Sequence, residues 1–166
     1  MGTNKGQAMT DLILIQNDKH ELSTDQHAAR MAAAGHAANK AAAAGAFAEY
    51  RSEKAESTIA RQHAGLKLFT QYLTEAGVIQ TGDFGAYADY LQSSPAGWAG
   101  MSWGLVKGFI AWMLGGGYAV SSVNVRLSTI KTYCRLAHNA GVIETGEYMK
   151  IKAVTSKSRK AAARID

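Results

Sequence analysis

Cations are what this sequence concentrates. Lys150, Lys152, Lys157, Arg159, Lys160 and Arg164 crowd into residues 150–166 against Asp166 alone, and that segment carries the whole formal net charge of +5. A basic stretch at one end suits a polyanion partner, with DNA the first candidate; a solvated tail is the equal alternative on charge alone. Other residues capable of chemistry are scattered. His20, His36, His63 and His138 show no H-x-x-x-H spacing for a metal. His63 falls on an apolar stripe and reads as a hydrogen-bonded core residue. The single cysteine, Cys134, excludes an internal disulfide framework and a Cys-rich zinc site. Gly115, Gly116 and Gly117 precede a helix but lack the G-x-x-x-x-G-K-S/T pattern of a phosphate loop, so they read as a hinge. Trp98, Trp103 and Trp112 read as core or loop anchors rather than base-stacking platforms. No cofactor, metal or small-molecule ligand is expected.

The elements that must position these groups are helices. One proline, Pro95, leaves long stretches free to be helical, and strand-like alternation is weak throughout. Residues 1–22 are polar and uneven, a flexible lead. Ser23 or Thr24 caps a first, Ala-rich helix that ends near residues 49–52. Ser57 or Thr58 caps a second, in which Ile59, His63, Leu66, Phe69 and Leu73 recur at helical steps, with Gly77 as its left-handed C-terminal residue. A third, short helix covers about 83–91. Ser102 caps a fourth, 103–114. Ser121 or Ser122 caps the fifth, which Gly141 closes; Val123, Leu127, Ile130, Cys134 and Ala137 form its apolar side. At 100° per residue, Asn124, Ser128, Lys131, Arg135 and Asn139 share the opposite side, polar and basic without an acid. Such a helix can bury one face and offer the other to phosphates.

At 166 residues and 47% apolar, the chain fits one domain with a sizeable core. The longest early apolar run, Leu12 to Ile15, is too short for a signal core, and no run approaches a membrane span. The expectation is a soluble, cytoplasmic protein.

The segment 117–131, GYAVSSVNVRLSTIK, resembles a stretch of phage integrases, the tyrosine recombinase family. There the pattern runs roughly G-Y-S-x-x-T-I/V-N-x-R-L-S/T-A/T-I/L-R/K, then an aromatic and a late Ala-Gly, places filled here by Tyr133, Ala140 and Gly141. Upstream, Thr58 through His63 to Leu66, Phe69 and Leu73 resembles the family's T-x-x-x-Y-x-x-x-L-x-x-F-x-x-W/Y-L helix. The resemblance spans about residues 45–145. Ala119 stands where Ser is usual, Ser122 where Thr is, and His63 where Tyr is; the loop 92–104 is longer than the family's, and the first helix is unusually Ala-rich.

The resemblance implies an all-α fold, a compact bundle of four to five helices of the SAM-like integrase N-terminal type. It implies a core-binding domain over 23–148 and a basic interdomain linker over 149–166. In the family this domain packs on one face of duplex DNA, a catalytic domain closes on the other, and the first helix meets a neighbouring protomer. The catalytic groups belong to that second domain, expected after about residue 160. They are a tyrosine nucleophile with Arg, Lys and His side chains that neutralise the transition state. The chain by itself is therefore expected to bind DNA for integration and recombination rather than cut it. His27 and Arg30 match the family's H-x-x-R spacing but lie upstream of the DNA-gripping helices, and read as a helix-surface pair.

The residues expected to touch DNA are Thr58, Arg61 and Lys67 on the second helix and Ser121, Ser122, Asn124, Ser128, Lys131 and Arg135 on the fifth. Lys150, Lys152, Lys157, Arg159 and Lys160 follow in the linker. Asn124 and Arg135 are the candidates for base edges. Arg126, beside the apolar stripe, is expected to pack its stem and cap a neighbouring structure. Two other readings stand beside this one: a recombinase-derived DNA-binding regulator, and a helical protein-interaction module that would self-associate without DNA affinity.

Overall fold

The computed structural model describes residues 21–155. Nearly all of the expected N-terminal lead, and Lys157, Arg159 and Lys160, lie outside them. The described residues are helical, with no strand among them. The all-α bundle expected from the sequence is the fold observed, with six α-helices among the described residues rather than four or five.

The chain divides after Ala38 into two units. The first contributes the beginning of α1 (Thr24–Glu53). A reciprocal capping box starts this helix: Ser23 Oγ accepts from the Gln26 amide at 3.2 Å, and Gln26 Oε1 accepts from the Ser23 amide at 2.9 Å. Every side chain from Thr24 to Ala38 is exposed. No core supports this stretch, and its alanines supply the helix propensity that packing supplies elsewhere.

The second unit holds the rest of α1, then α2 (Glu56–Glu75), α3 (Phe84–Ser93), a 3₁₀ turn (Pro95–Trp98), α4 (Trp103–Gly115), α5 (Val120–Asn139) and α6 (Thr145–Lys152). Asp83 and Ser102 cap α3 and α4, accepting from the amides of Ala86 at 3.0 Å and Leu105 at 3.2 Å. Gly77 and Gly141, at φ 74° and 78°, turn the chain out of α2 and α5 through the left-handed region. The hydroxyl caps expected for α2 and α5 do not form. Ala55 and Ala119 occupy the cap positions instead, and both helices begin two residues earlier than a hydroxyl cap would place them. The longer helices gain the backbone bonds Ile59 N to Ala55 O (3.1 Å) and Val123 N to Ala119 O (3.0 Å), which leaves the serines and Thr58 inside the first turns.

Both apolar stripes read from the sequence point inward. Leu66, Phe69 and Leu73 of α2 are buried, as are Val123, Leu127, Ile130, Cys134 and Ala137 of α5; Ile59 and His63 are half-buried. At the centre lies Trp98, fully buried and nearly parallel to Phe69 and Tyr133, with ring centroids 6.1 and 5.9 Å away. Its indole N–H donates to Leu91 O at 2.7 Å, so its one polar atom is satisfied. Trp98 is thus the core anchor expected of it, whereas Trp103 is 43% exposed.

A buried polar relay ties four helices around that ring. Tyr133 of α5 donates its hydroxyl to Gln62 Oε1 (3.0 Å) and accepts from Gln92 Nε2 (3.1 Å). Gln62 Nε2 in turn donates to Tyr50 Oη of α1 (2.7 Å), and Gln92 Nε2 also reaches Ile59 O (3.0 Å). Burial pushes the Tyr133 hydroxyl up to about 12. Nearby, α4 approaches α2 closely: a Cβ at Gly108 would lie 2.2 Å from Tyr72 Oη.

Helix α6 was not expected. Its eight residues are too few to show a period, and the burial of Ile151 that helps to hold it is not visible in the sequence. Val154 beyond it is buried too, so the folded part continues past the boundary at residue 148, which falls inside this helix.

Candidate nucleic-acid interface

Helix α5 is the natural starting point, because its 20 residues contain no acid. Counting from Ser121 at 100° per residue, Val125, Ser128, Thr132, Arg135 and Asn139 all fall within about 40° of it. Ser121, Val125, Ser128, Arg135 and Asn139 are exposed and Thr132 is half-buried, so this stripe is the helix's outward side. It is rotated from the face drawn from the sequence. Asn124 and Lys131 sit on one edge of it, half-buried. Lys131 Nζ donates to the carbonyl of Lys152 at 3.0 Å, so this cation also holds the end of α6.

Along the other edge of the stripe runs a cleft of about 260 Å³ between α2 and α5. Arg61, Ala64 and Gly65 line it from α2, and Ser121, Ser122, Val125, Arg126 and Thr129 from α5. Three of the residues expected to contact DNA, Arg61, Ser121 and Ser122, are brought together here. Gly65 faces α5 here: a Cβ at this position would stand in ordinary van der Waals contact with the Arg126 stem, 3.7 Å away. The α5 N-terminus opens beside the cleft. Its first intrahelical bond is donated by Val123, which leaves the amides of Val120, Ser121 and Ser122 without helical acceptors, and Ala119 supplies no side-chain cap.

Arg126 packs its stem, as expected, but its head caps less than a guanidinium can. Nη1 reaches Ser122 O at 3.3 Å, the guanidinium carbon lies 5.4 Å from the Tyr118 ring centroid, and the buried Nε has no hydrogen-bond partner. Leaving a buried donor unmet costs about 1–3 kcal/mol. Neither Arg126 nor Val125 was picked out as a contact from the sequence. Their place in the cleft depends on the pairing of α5 with α2, whose lining residues lie some sixty positions upstream, and no local spacing reports that.

The other expected contacts are spread out. Thr58, half-buried, lies one turn before Arg61. Lys67 is exposed but turned about 240° from Arg61 at 100° per residue, so it does not share the cleft face. Lys150 and Lys152 are exposed on α6.

A second hollow, about 560 Å³, lies between α2, α3 and the end of α1 and has mixed charge, lined among others by Arg51, Lys54, Glu56, His63 and Asp89. His63 Nε2 lies 2.7 Å from Asp89 Oδ1 and 3.3 Å from Gly85 O. Both partners are acceptors, so that nitrogen carries the proton. His63 therefore pins α2 to α3. Cys134, fully buried, has its thiol pushed up to about 12 by burial, which makes it inert. Among the described residues no group of three His, Cys, Asp or Glu is placed to hold a metal, and no helix is long and apolar enough to cross a membrane.

Comparison with protein-family models, with curated proteins and with solved structures returns no match.

Proposed function

We propose that this chain binds duplex DNA through the outward stripe of α5 and the adjoining α2 cleft, as the core-binding part of a site-specific tyrosine recombinase. The observation that carries the reading is the acid-free α5, whose exposed side presents Ser121, Ser128 and Arg135, with Ser121 lining the same cleft as Arg61. The integrase-like motifs of residues 58–73 and 117–131 support it, because they fall on the two helices that form this surface. Arg61, Lys150 and Lys152 serve as phosphate contacts, and Arg135, exposed toward the C-terminal end of the stripe, serves as the base-edge contact. Binding, rather than strand cleavage, is the activity proposed.

The test is duplex binding by the full chain over a salt series, beside Arg61→Ala and Arg135→Ala. Affinity should fall steeply with salt, and each lost phosphate contact should reduce the slope of log K against log salt by about 0.9. Base contact by Arg135 predicts loss of sequence preference with little change in slope. A folded protein that binds no duplex even at low salt would overturn the reading. That result would favour a second one, for which the exposed alanines of α1 and Met31, 74% exposed, are the observation: a helix face for another protomer, read by sedimentation equilibrium.

A further inference from the structure

We infer that the α2–α5 cleft is a seat for a single phosphate group, with Arg126 as its second guanidinium. Three features of different origin meet there. The first is charge: Arg61 and Arg126 both line the cleft and none of its lining residues is acidic, so two cations share a hollow without a counter-charge. The second is an unmet donor, the buried Nε of Arg126. The third is the uncapped start of α5, with the amides of Ser121 and Ser122 beside the same hollow. A volume of about 260 Å³ admits a tetrahedral oxyanion and excludes a nucleobase stacked with its neighbours.

The resting contacts of Arg126 are weak enough to yield. Its hydrogen bond to Ser122 O is 3.3 Å long, and Tyr118, on which it stacks, is itself 37% exposed. A phosphate in the cleft draws the guanidinium off Tyr118 and takes Nε–H and an Nη–H side by side, the fork geometry that a lysine cannot reproduce. Arg61 closes the seat from α2. The group bound is the phosphate oxyanion, whether from a DNA backbone or from a free phosphate; assigning it to DNA rests on the function proposed above, while the seat does not.

The experiment is nuclear magnetic resonance on the full chain, following the Arg126 Nε–H resonance, assigned by its loss in Arg126→Lys, and the amides of Ser121 and Ser122. The probes are inorganic phosphate and a short duplex of arbitrary sequence. The expected result is that both probes move these three signals together, and that Arg126→Lys, folded by circular dichroism, binds the duplex about 10-fold more weakly. Arg61→Ala, an exposed position that leaves the core intact, should weaken phosphate binding in the same way. If phosphate moves the signals and the duplex does not bind, the seat stands for a free phosphate and the DNA reading falls. If the duplex binds with full affinity to both variants and leaves the three signals in place, the seat is refuted and the DNA reading stands. Silence toward both probes in a folded protein refutes the seat.

Discussion

Replacing Tyr133 by Phe removes one oxygen from the centre of the bundle and keeps the ring between Trp98 and Phe47. Two hydrogen bonds go with it, the one donated to Gln62 Oε1 and the one accepted from Gln92 Nε2. Gln92 keeps its bond to Ile59 O, so the larger loss falls on Gln62, whose buried carbonyl loses the Tyr133 donor. An unmet buried acceptor costs about 1–3 kcal/mol. At roughly 3 °C per kcal/mol for a chain of this size, the variant should melt about 3–9 °C lower by circular dichroism. The same hydroxyl sets an alkaline limit. Burial raises it from 10.0 to about 12, so the folded state holds that proton more tightly than the unfolded chain does. Its contribution is complete below pH 10 and is lost as pH rises from 10 to about 12. Cys134, raised from 9.0 to about 12, adds to the loss in an overlapping range. Urea midpoints taken across pH 9–12 should therefore fall less steeply for Tyr133→Phe than for the parent. A variant as stable as the parent at neutral pH, with the same alkaline fall, would refute the claim that this relay holds the helices together.

Two further substitutions probe the frame around the site. Gly108→Ala drives a methyl to 2.2 Å from Tyr72 Oη, and the Tyr72 ring is wedged against Phe109 and Trp112, so about 1–3 kcal/mol should be lost in urea denaturation. Adding Tyr72→Phe should return part of it. A chain ending at Tyr148 gives up the buried Ile151 and Val154 and should lose at least about 2–5 kcal/mol in urea denaturation. The contribution of residues 156–166 to DNA binding is thus measured with a chain ending at Thr155, which keeps Ile151 and Val154, and not at Tyr148.

Much of the frame was legible because the signals were local. Helical steps picked out Leu66, Phe69 and Leu73 and five of the eight buried positions of α5, and Ser102, Gly77 and Gly141 marked helix ends through local cap and turn chemistry. The errors came where one more backbone bond or a tertiary contact decides. Ser57 and Ser121 are competent caps, but the helices ran on to Ala55 and Ala119. Helix α6 rests on Ile151, whose burial depends on helices earlier in the chain. The polar face of α5 was drawn some tens of degrees away from where it lies. Lys131 was counted as free for DNA although it serves a carbonyl of α6, and Val125, which occupies the exposed stripe, was counted with neither face. Arg126 is the clearest case: its residue type and stem packing were readable, but the cleft it lines is made by residues about sixty positions apart.

That separation has a kinetic consequence. The cleft joins residues 61–65 to 121–129, so its two walls meet only after the intervening chain has closed as a loop. Loop closure is met before the packing that offsets it, which places such contacts late in folding. Neither wall alone carries both arginines, so no folding intermediate that lacks the α2–α5 pairing owns the surface. Anything that binds there selects the finished fold, and by mass action it should raise the melting temperature in proportion to the logarithm of its concentration. A nascent or partly unfolded chain would be silent toward that partner, and recognition would double as a check that folding is complete.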